Sequence, residues 1–315
     1  MGNNKDFIVK LKKTLSSQQF KMKDLGPVES YLGMRIVRNR PKHIIWLDQV
    51  SYVENALKWF NLQNANSTQT PLPANIHIEL SKEVSSSEQT SLYQQMIGTL
   101  MYASLGTRPD ISYAVTRLSR YSNNPSKEHL HYVKHVLKYL VGTKNLRLKY
   151  DGSSHAGLIG FSDSDWAENK DDRHSTSGHV FLMANCAISW KSKRQHTVAT
   201  SVGEAEYMEL SDTSKQSAWL RSFATEINFP PSGPTPICAD NQSAIFLSIN
   251  PAVERRTKHV DIRYHYIREQ VEEEKVDLYH IPGEDNPADL FTKPLPAIKI
   301  LKFRKAIGLM EYNLD

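Results

Sequence analysis

Four carboxylates in the second half of the chain each sit where one kind of secondary structure gives way to another. Asp163 follows the apolar run "AGLIGF", and Glu206 lies in the first turns of the helical segment "GEAEYMEL". Asp240 ends the strand-like "TPICAD", and Asp289 lies in "NPADLFTK", which reads as a helix. They are separated by 43, 34 and 49 residues, so only folding can gather them. A carboxylate at the end of a buried strand is costly to desolvate unless something positive faces it. Several in one place repel, and one must take up a proton unless cations intervene. Hard Mg²⁺ relieves that repulsion by binding carboxylate oxygen while keeping most of its waters. Two such ions about 3.5–4 Å apart stabilise the attacking and leaving oxygens of a phosphodiester displacement, with no Ser, Cys or His nucleophile. The duller alternative is that acids at strand ends are solvated and acids in first helical turns complement the dipole.

Three other acids compete for these roles. Asp165 shares strand parity with Asp163 but lies one step further beyond the apolar run. Glu204 points about 200° away from Glu206 on a helix turning ~100° per residue, whereas Glu209, at i+3, stays on its face. If the acids do cluster, replacing Asp163 or Asp240 with Asn should relieve repulsion and leave the fold intact or slightly steadier without metal.

The elements that must position them follow from the apolar spacing. Phe7, Ile8, Leu11 and Leu15 predict a helix over residues 4–20. "ESYLGMRIVRN" and "HIIWLDQ" alternate as a hairpin, and "QVSYVENALKWFNL" is helical again. Residues 64–87 are polar and proline-containing, a long loop. Residues 88–141 are helical in two or three segments broken at "TRPD" and "NNPS". The pattern changes near 150, after "NLRLKYDG". Strands follow at about 156–162, 177–184 and 186–191, then a long helix near 203–226. The strand "TPICAD", the helices "NQSAIFLSI" and "HVDIRYHYIREQVEEE", and the strand "VDLYHI" complete an α/β layout with a mixed sheet. If the first and fourth strands of this region are neighbours, Asp163 and Asp240 meet.

Composition sets outer limits. The chain has 315 residues, 39% hydrophobic and 23% charged, as in soluble globular proteins. A net charge of +5 permits a polyanionic partner without demanding one. Cys186 and Cys238 form no CxxC pair, which argues against a zinc site or a disulfide framework. No run of 18 apolar residues suggests a membrane span, and "MGNNKDFIVKLKK" lacks a signal-peptide core. Asp6 occupies the position where myristoylation favours Ser or Thr. The expectation is an intracellular protein, cytoplasmic or nuclear, without membrane association; its oligomeric state is left open.

"FSDSDWA", "DDRHSTSGHVFLM", "ISWKSKRQHTVATSVGEAEYMEL", "CADNQSAI", "RTKHVDIRYHYIRE" and "HIPGEDNPADLFTKPLP" occur in this order. Together they closely resemble the ribonuclease H domain at the end of copia-type LTR-retrotransposon Pol polyproteins. Upstream, "KMKDLGPVESYLGMRI" and "YQQMIGTLMYASLGTRPDISYAVTRLSRY" resemble the end of that family's reverse transcriptase. The resemblance implies a ribonuclease H-like α/β domain, a five-stranded mixed sheet with flanking helices, preceded by a mainly helical palm-end and thumb remnant. The implied division is 1–75 for the palm end and start of the thumb and 76–150 for a helical thumb or connection. Residues 151–296 form the ribonuclease H-like domain, and 297–315 a C-terminal helix or tail. The implied activity is metal-dependent endonucleolytic hydrolysis of RNA in RNA–DNA hybrids, with two Mg²⁺ ions, or Mn²⁺, as cofactors. The acids matching the family pattern are Asp163, Glu206, Asp240 and Asp289, as metal ligands and catalytic residues. The run His-x-Pro-Gly-x-x-Asn-x-Ala-Asp matches at His280, Pro282, Gly283, Asn286, Ala288 and Asp289. His280 is implied to work near the second metal or the leaving group; the alternative is an ordinary exposed histidine.

A hybrid duplex is read through its backbone, groove shape and 2′-hydroxyls, and lysines and arginines supply the phosphate contacts. Lys191, Lys193 and Arg194 in "SWKSKRQHT", and Arg255, Arg256 and Lys258 in "ERRTKHVDIRYH", are the candidates. Such charge runs are otherwise solvated loops. Trp190 and Tyr207 read as core or lid residues, because a duplex offers no splayed bases for stacking. The adjacent pair Asp171-Asp172 lies in charged "ENKDDRHST", the wrong setting for a polymerase metal site. In the family that motif lies upstream of the "KMKDLG" region, so the chain reads as a truncated element without polymerase activity. The alternatives to an active nuclease are a non-catalytic nucleic-acid-binding remnant and an inert relic.

Overall fold

Apolar alternation builds the first sheet from both ends of the chain. The computed structural model describes residues 5–17, 23–74, 76–154, 157–166, 173–250 and 266–312. Arg255, Arg256, Lys258 and the Asp171-Asp172 pair lie outside the described residues. After helix α1 (Lys5–Ser17), β1 (Ser30–Tyr31), β2 (Met34–Asn39) and β3 (Ile44–Asp48) run antiparallel. The expected hairpin is therefore present, with Ile36 opposite Leu47 and Val37 opposite Trp46. Helix α2 (Val50–Trp59) buries Val53, Ala56 and Leu57. Helices α3 (Ser87–Gly106), α4 (Ser112–Ser119) and α5 (Lys127–Thr143) follow, broken where "TRPD" and "NNPS" predict. Ser126 starts α5 with a reciprocal cap: its hydroxyl accepts from the His129 N–H, and its own N–H donates to the His129 ring.

Two strands in this part were not anticipated. "NLRLKYDG", read only as a transition, contains β4 (Leu146–Asp151), which pairs antiparallel with β3. Beyond helix α9 (Ala297–Ala306), the strand β10 (Leu309–Glu311) returns to the other edge of β4, with Leu309 opposite Leu148. The expected C-terminal helix is thus joined by a strand that completes the sheet β1-β2-β3-β4-β10.

The second sheet has the order β7-β6-β5-β8-β9. β5 (Ile159–Ser164), β6 (Thr176–Met183) and β7 (Cys186–Arg194) are antiparallel neighbours. Helix α6 (Val202–Glu226) then carries the chain across to β8 (Thr235–Ala239), parallel to β5. After α7 (Gln242–Ile249) and α8 (Tyr266–Glu272), β9 (Val276–His280) adds in parallel to β8. This is the five-stranded mixed sheet with flanking helices of the ribonuclease H-like class. Because β5 and β8 are parallel, their C-terminal ends lie together, the place where open α/β sheets leave a crevice.

The two sheets share one core. Val180, Leu182 and Ala187 of the second sheet bury among Leu118, Val133 and Leu137 of the helices and Phe303 and Leu309 near the end of the chain. Polar bonds cross the same seam: Trp190 donates its indole N–H to the Ser104 carbonyl at 2.9 Å, and Tyr150 its hydroxyl to Ala187 at 2.8 Å. Tyr207 is fully buried in a second cluster beneath α6. The "TRPD" break also contains a buried ion pair. Arg108 grips Asp110 through two bonds of 2.9 and 2.8 Å, and donates to Thr143. Tyr139 donates to Asp110 at 2.7 Å and accepts from Arg304 of α9 at 3.1 Å.

Candidate metal centre

The parallel register sets Gly160 beside Ile237 and Phe161 beside Cys238, so the ends of β5 and β8 draw level near Asp163 and Asp240. Asp289 arrives from the segment after β9. Carboxylate oxygens of Asp163, Asp240 and Asp289 all lie within 4.8 Å of one another. Glu206 approaches from α6, buried, and its Oε2 has no hydrogen-bond partner among the described residues. Burial, then the charges of Asp163 and Asp240, push the Glu206 carboxyl well above its ordinary range. Burial and then Asp163 likewise push Asp289 up to about 6, against the pull of Lys293. Asp240 is raised by the same two causes. These shifts are what like charges sharing a half-dry site produce.

Asp289 sits on a 3-10 turn, Pro287–Phe291, rather than on the α-helix that "NPADLFTK" suggests. Asn286 explains the difference. Buried at the start of the turn, it donates its amide to the Ser162 carbonyl at 2.9 Å and accepts from the Ala288 N–H at 3.1 Å. The turn is thereby tied to β5, one residue from Asp163.

Two glycines make this docking possible. A Cβ on Gly178, the partner of Asp163 across β5 and β6, would stand 2.6 Å from Phe291 Cβ and 3.0 Å from the Phe291 backbone carbon. A Cβ on Gly283 would stand 2.7 Å from an Asp240 carboxylate oxygen. Gly178→Ala is expected to cost about 1–3 kcal/mol in urea unfolding, the usual penalty for overpacking, because backbone must move. An unchanged midpoint would show that the Asp289 turn is loosely seated.

His280 ends β9 beside Ala239 in the parallel register, exposed, with Nε2 3.2 Å from the Asp240 carbonyl oxygen. Lys191, Lys193 and Arg194 lie on β7, an edge strand, rather than in the loop ahead of α6. Lys191 is 3.5 Å from Asp212 of α6, which also pairs with Lys215 at 3.1 Å. Asp212 lies six residues beyond Glu206, about 9 Å along the helix at 1.5 Å per residue. The rival acids are engaged elsewhere. Asp165 accepts from the Thr176 N–H, Glu204 accepts from the Thr200 N–H at 2.7 Å, and Glu209 pairs with His179 at 2.7 Å.

One group at the site was missed in the sequence. Lys293 Nζ lies 2.6 Å from Asp289 and 3.5 Å from Asp163. Its only local signal is its place in "TKPLP", one residue before a proline.

Comparison with known proteins agrees with this anatomy. Residues 1–74 match the family described as reverse transcriptase (RNA-dependent DNA polymerase). The Retrovirus-related Pol polyprotein from transposon TNT 1-94 of Nicotiana tabacum is 42% identical over 316 residues, 98% of this chain and 23% of that protein. Its counterpart from transposon RE1 of Arabidopsis thaliana is 36% identical over 293 residues, 93% of this chain and 20% of that protein. Among solved structures, LC11-RNase H1 in complex with RNA/DNA hybrid is 16% identical, with a TM-score of 0.29 over 43% of this chain and 93% of its own. The N-terminal RNase H domain of rv2228c from Mycobacterium tuberculosis gives a TM-score of 0.32 at 11% identity, over 48% of this chain and 97% of its own. With overlaps this low, the fold class rests on strand order and direction. The chain is a reverse-transcriptase-related segment joined to a ribonuclease H-like α/β domain. It belongs to the Pol polyproteins of copia-type retrotransposons, and spans about a fifth of the length of those polyproteins from TNT 1-94, RE1 and RE2.

Proposed function

We propose that the chain cuts the RNA strand of RNA–DNA hybrids internally, with two divalent ions, Mg²⁺ or Mn²⁺, held by Asp163, Glu206, Asp240 and Asp289. The observation that carries this reading is the meeting of three carboxylates within 4.8 Å, from segments far apart in the chain. The donor set fits a hard cation: all oxygen, half-dry, with Glu206 Oε2 unpartnered among the described residues. When bound, the metals supply Lewis-acid stabilisation of the phosphodiester displacement. Asn286 ties the turn that carries Asp289 to β5, and Thr292 donates to the Asp163 carboxyl. His280, exposed and 3.2 Å from the Asp240 carbonyl oxygen, is assigned the proton transfer near the leaving group.

Phosphate contacts are assigned to Lys191, Lys193 and Arg194 along the edge strand, and to Arg255, Arg256 and Lys258 from the basic run in the sequence. No primer extension is proposed. Among the described residues no helix is long and apolar enough to cross a membrane. The decisive experiment incubates purified protein with labelled RNA–DNA hybrid in Mg²⁺ or in EDTA. Internal cuts in the RNA strand with Mg²⁺ alone are expected. Binding without cutting would favour the non-catalytic remnant instead.

A further inference from the structure

The carboxylate cluster has a cation of its own inside it. The Lys293 ammonium lies 2.6 Å from Asp289 Oδ1 and 3.5 Å from Asp163 Oδ2, and Lys299 lies 3.4 Å from Asp289 Oδ2. The Lys293 side chain is 32% exposed while those of both its partners are 2% exposed, so it enters from the rim and ends on buried charge.

Its segment is anchored on all sides. Phe291 and Leu295 are buried, one on each side of it in sequence. Thr292 is fully buried and donates its hydroxyl to Asp163. The Lys293 N–H donates to the Asp289 carbonyl at 3.3 Å. Pro294 disfavours helical backbone at Lys293, so the side chain leaves from a restricted direction. Lys299 sits differently, on helix α9, and reaches Asp289.

We propose that Lys293 is an internal competitor for the metal: its ammonium joins Asp163 to Asp289 in the metal-free protein and must give up that position for a divalent ion to bind there. The inference rests on the metal centre proposed above. It assigns the lysine two opposed effects. It steadies the empty cluster by offsetting like-charge repulsion, and it weakens metal binding by occupying the same oxygens. A residue of purely structural use would have the first effect without the second.

The test is calorimetric titration of Mn²⁺ into the metal-free chain, with melting curves in EDTA. The proteins are the parent, Lys293→Met, Lys293→Gln, Lys293→Arg and Asp163→Asn. Removing the charge should tighten Mn²⁺ binding about tenfold, the effect of one neighbouring charge on a carboxylate site. It should also lower the metal-free melting temperature by about 2–4 °C. Lys293→Arg should stay near the parent in both. Should Lys293→Met fail to fold, Lys293→Gln, which keeps a polar side chain without the charge, carries the comparison. Unchanged or weaker Mn²⁺ binding in the Met and Gln variants overturns the inference, whatever their melting temperatures. If the parent binds no Mn²⁺, or Asp163→Asn binds it equally well, the metal centre itself is overturned.

Discussion

Asp163→Asn is expected to slow hybrid cleavage at least about a thousandfold, equivalent to about 4 kcal/mol or more of lost transition-state stabilisation. Asp163 is central to the cluster: it groups with Asp240 and Asp289, raises Glu206, and accepts from Thr292. An amide is a poorer ligand and brings no charge. Cleavage by Asp163→Asn at the parent rate would refute the carboxylate reading. The stability of the same variants separates two acids that the sequence treats alike. Burial and then the Asp163 charge push the Asp240 carboxyl up, so Asp240→Asn should melt in EDTA at or slightly above the parent. Asp163 is an ion-pair partner of Lys293 and accepts from buried Thr292, so Asp163→Asn should melt at or below it. The expectation that losing either Asp163 or Asp240 brings relief therefore needs revising at Asp163, because a lysine already provides part of that relief.

Arg108→Met should destabilise the chain by about 3–5 kcal/mol, because it strands a buried carboxylate. Burial pushes the Asp110 carboxyl up, yet Arg108 and Tyr139 outweigh it and hold Asp110 below the usual carboxylate range. With Arg108 gone, Asp110 keeps only the Tyr139 hydroxyl among these contacts and must take up a proton or open the core. Replacing Arg108 with Met and Asp110 with Leu together should be milder than Arg108→Met alone, since no charge is then left unpaired. Urea unfolding of both variants decides it. A cost below about 1 kcal/mol for Arg108→Met would mean that water reaches the pair.

Much of the fold was legible because local signals and tertiary demands agree. The β2–β3 hairpin, α5 with its proline-marked start, and the long α6 all follow from apolar spacing. β4 and β10 were not legible, because a three-residue strand has no periodicity and its partner lies about 160 residues away. The helix expected at Asp289 gave way to a 3-10 turn because Asn286 spends its side chain on Ser162 as well as on the cap. The candidate acids could be picked out as acids at element ends, but ranking them above Asp165 and Glu209 took the family resemblance. What demotes those two, the Thr176 N–H and the buried His179, is visible only in three dimensions. The Arg108–Asp110 pair was hidden for a similar reason: "TRPD" reads as a helix breaker, and its burial depends on Tyr139 and Arg304 from distant helices. Beyond the proline that follows it, Lys293 has no local signal in the sequence; its role depends on Asp163 and Asp289 being brought to it by the fold.

The place of β10 bears on how the chain is made. Synthesis delivers β1 to β4 early, but the outer edge of β4 stays unpaired until residues 309–311 emerge. During that interval Leu146 and Leu148, both buried in the finished protein, lie beside a row of open backbone groups. Pairing across so long a loop is slow. The growing chain is therefore most prone to aggregate until residues 309–311 are made, and an interruption shortly before them would leave an adhesive intermediate. The same closure means that a protease cutting near residue 150 would nick the molecule without parting it: β10, α9 and the Trp190–Ser104 bond would still hold the two halves together.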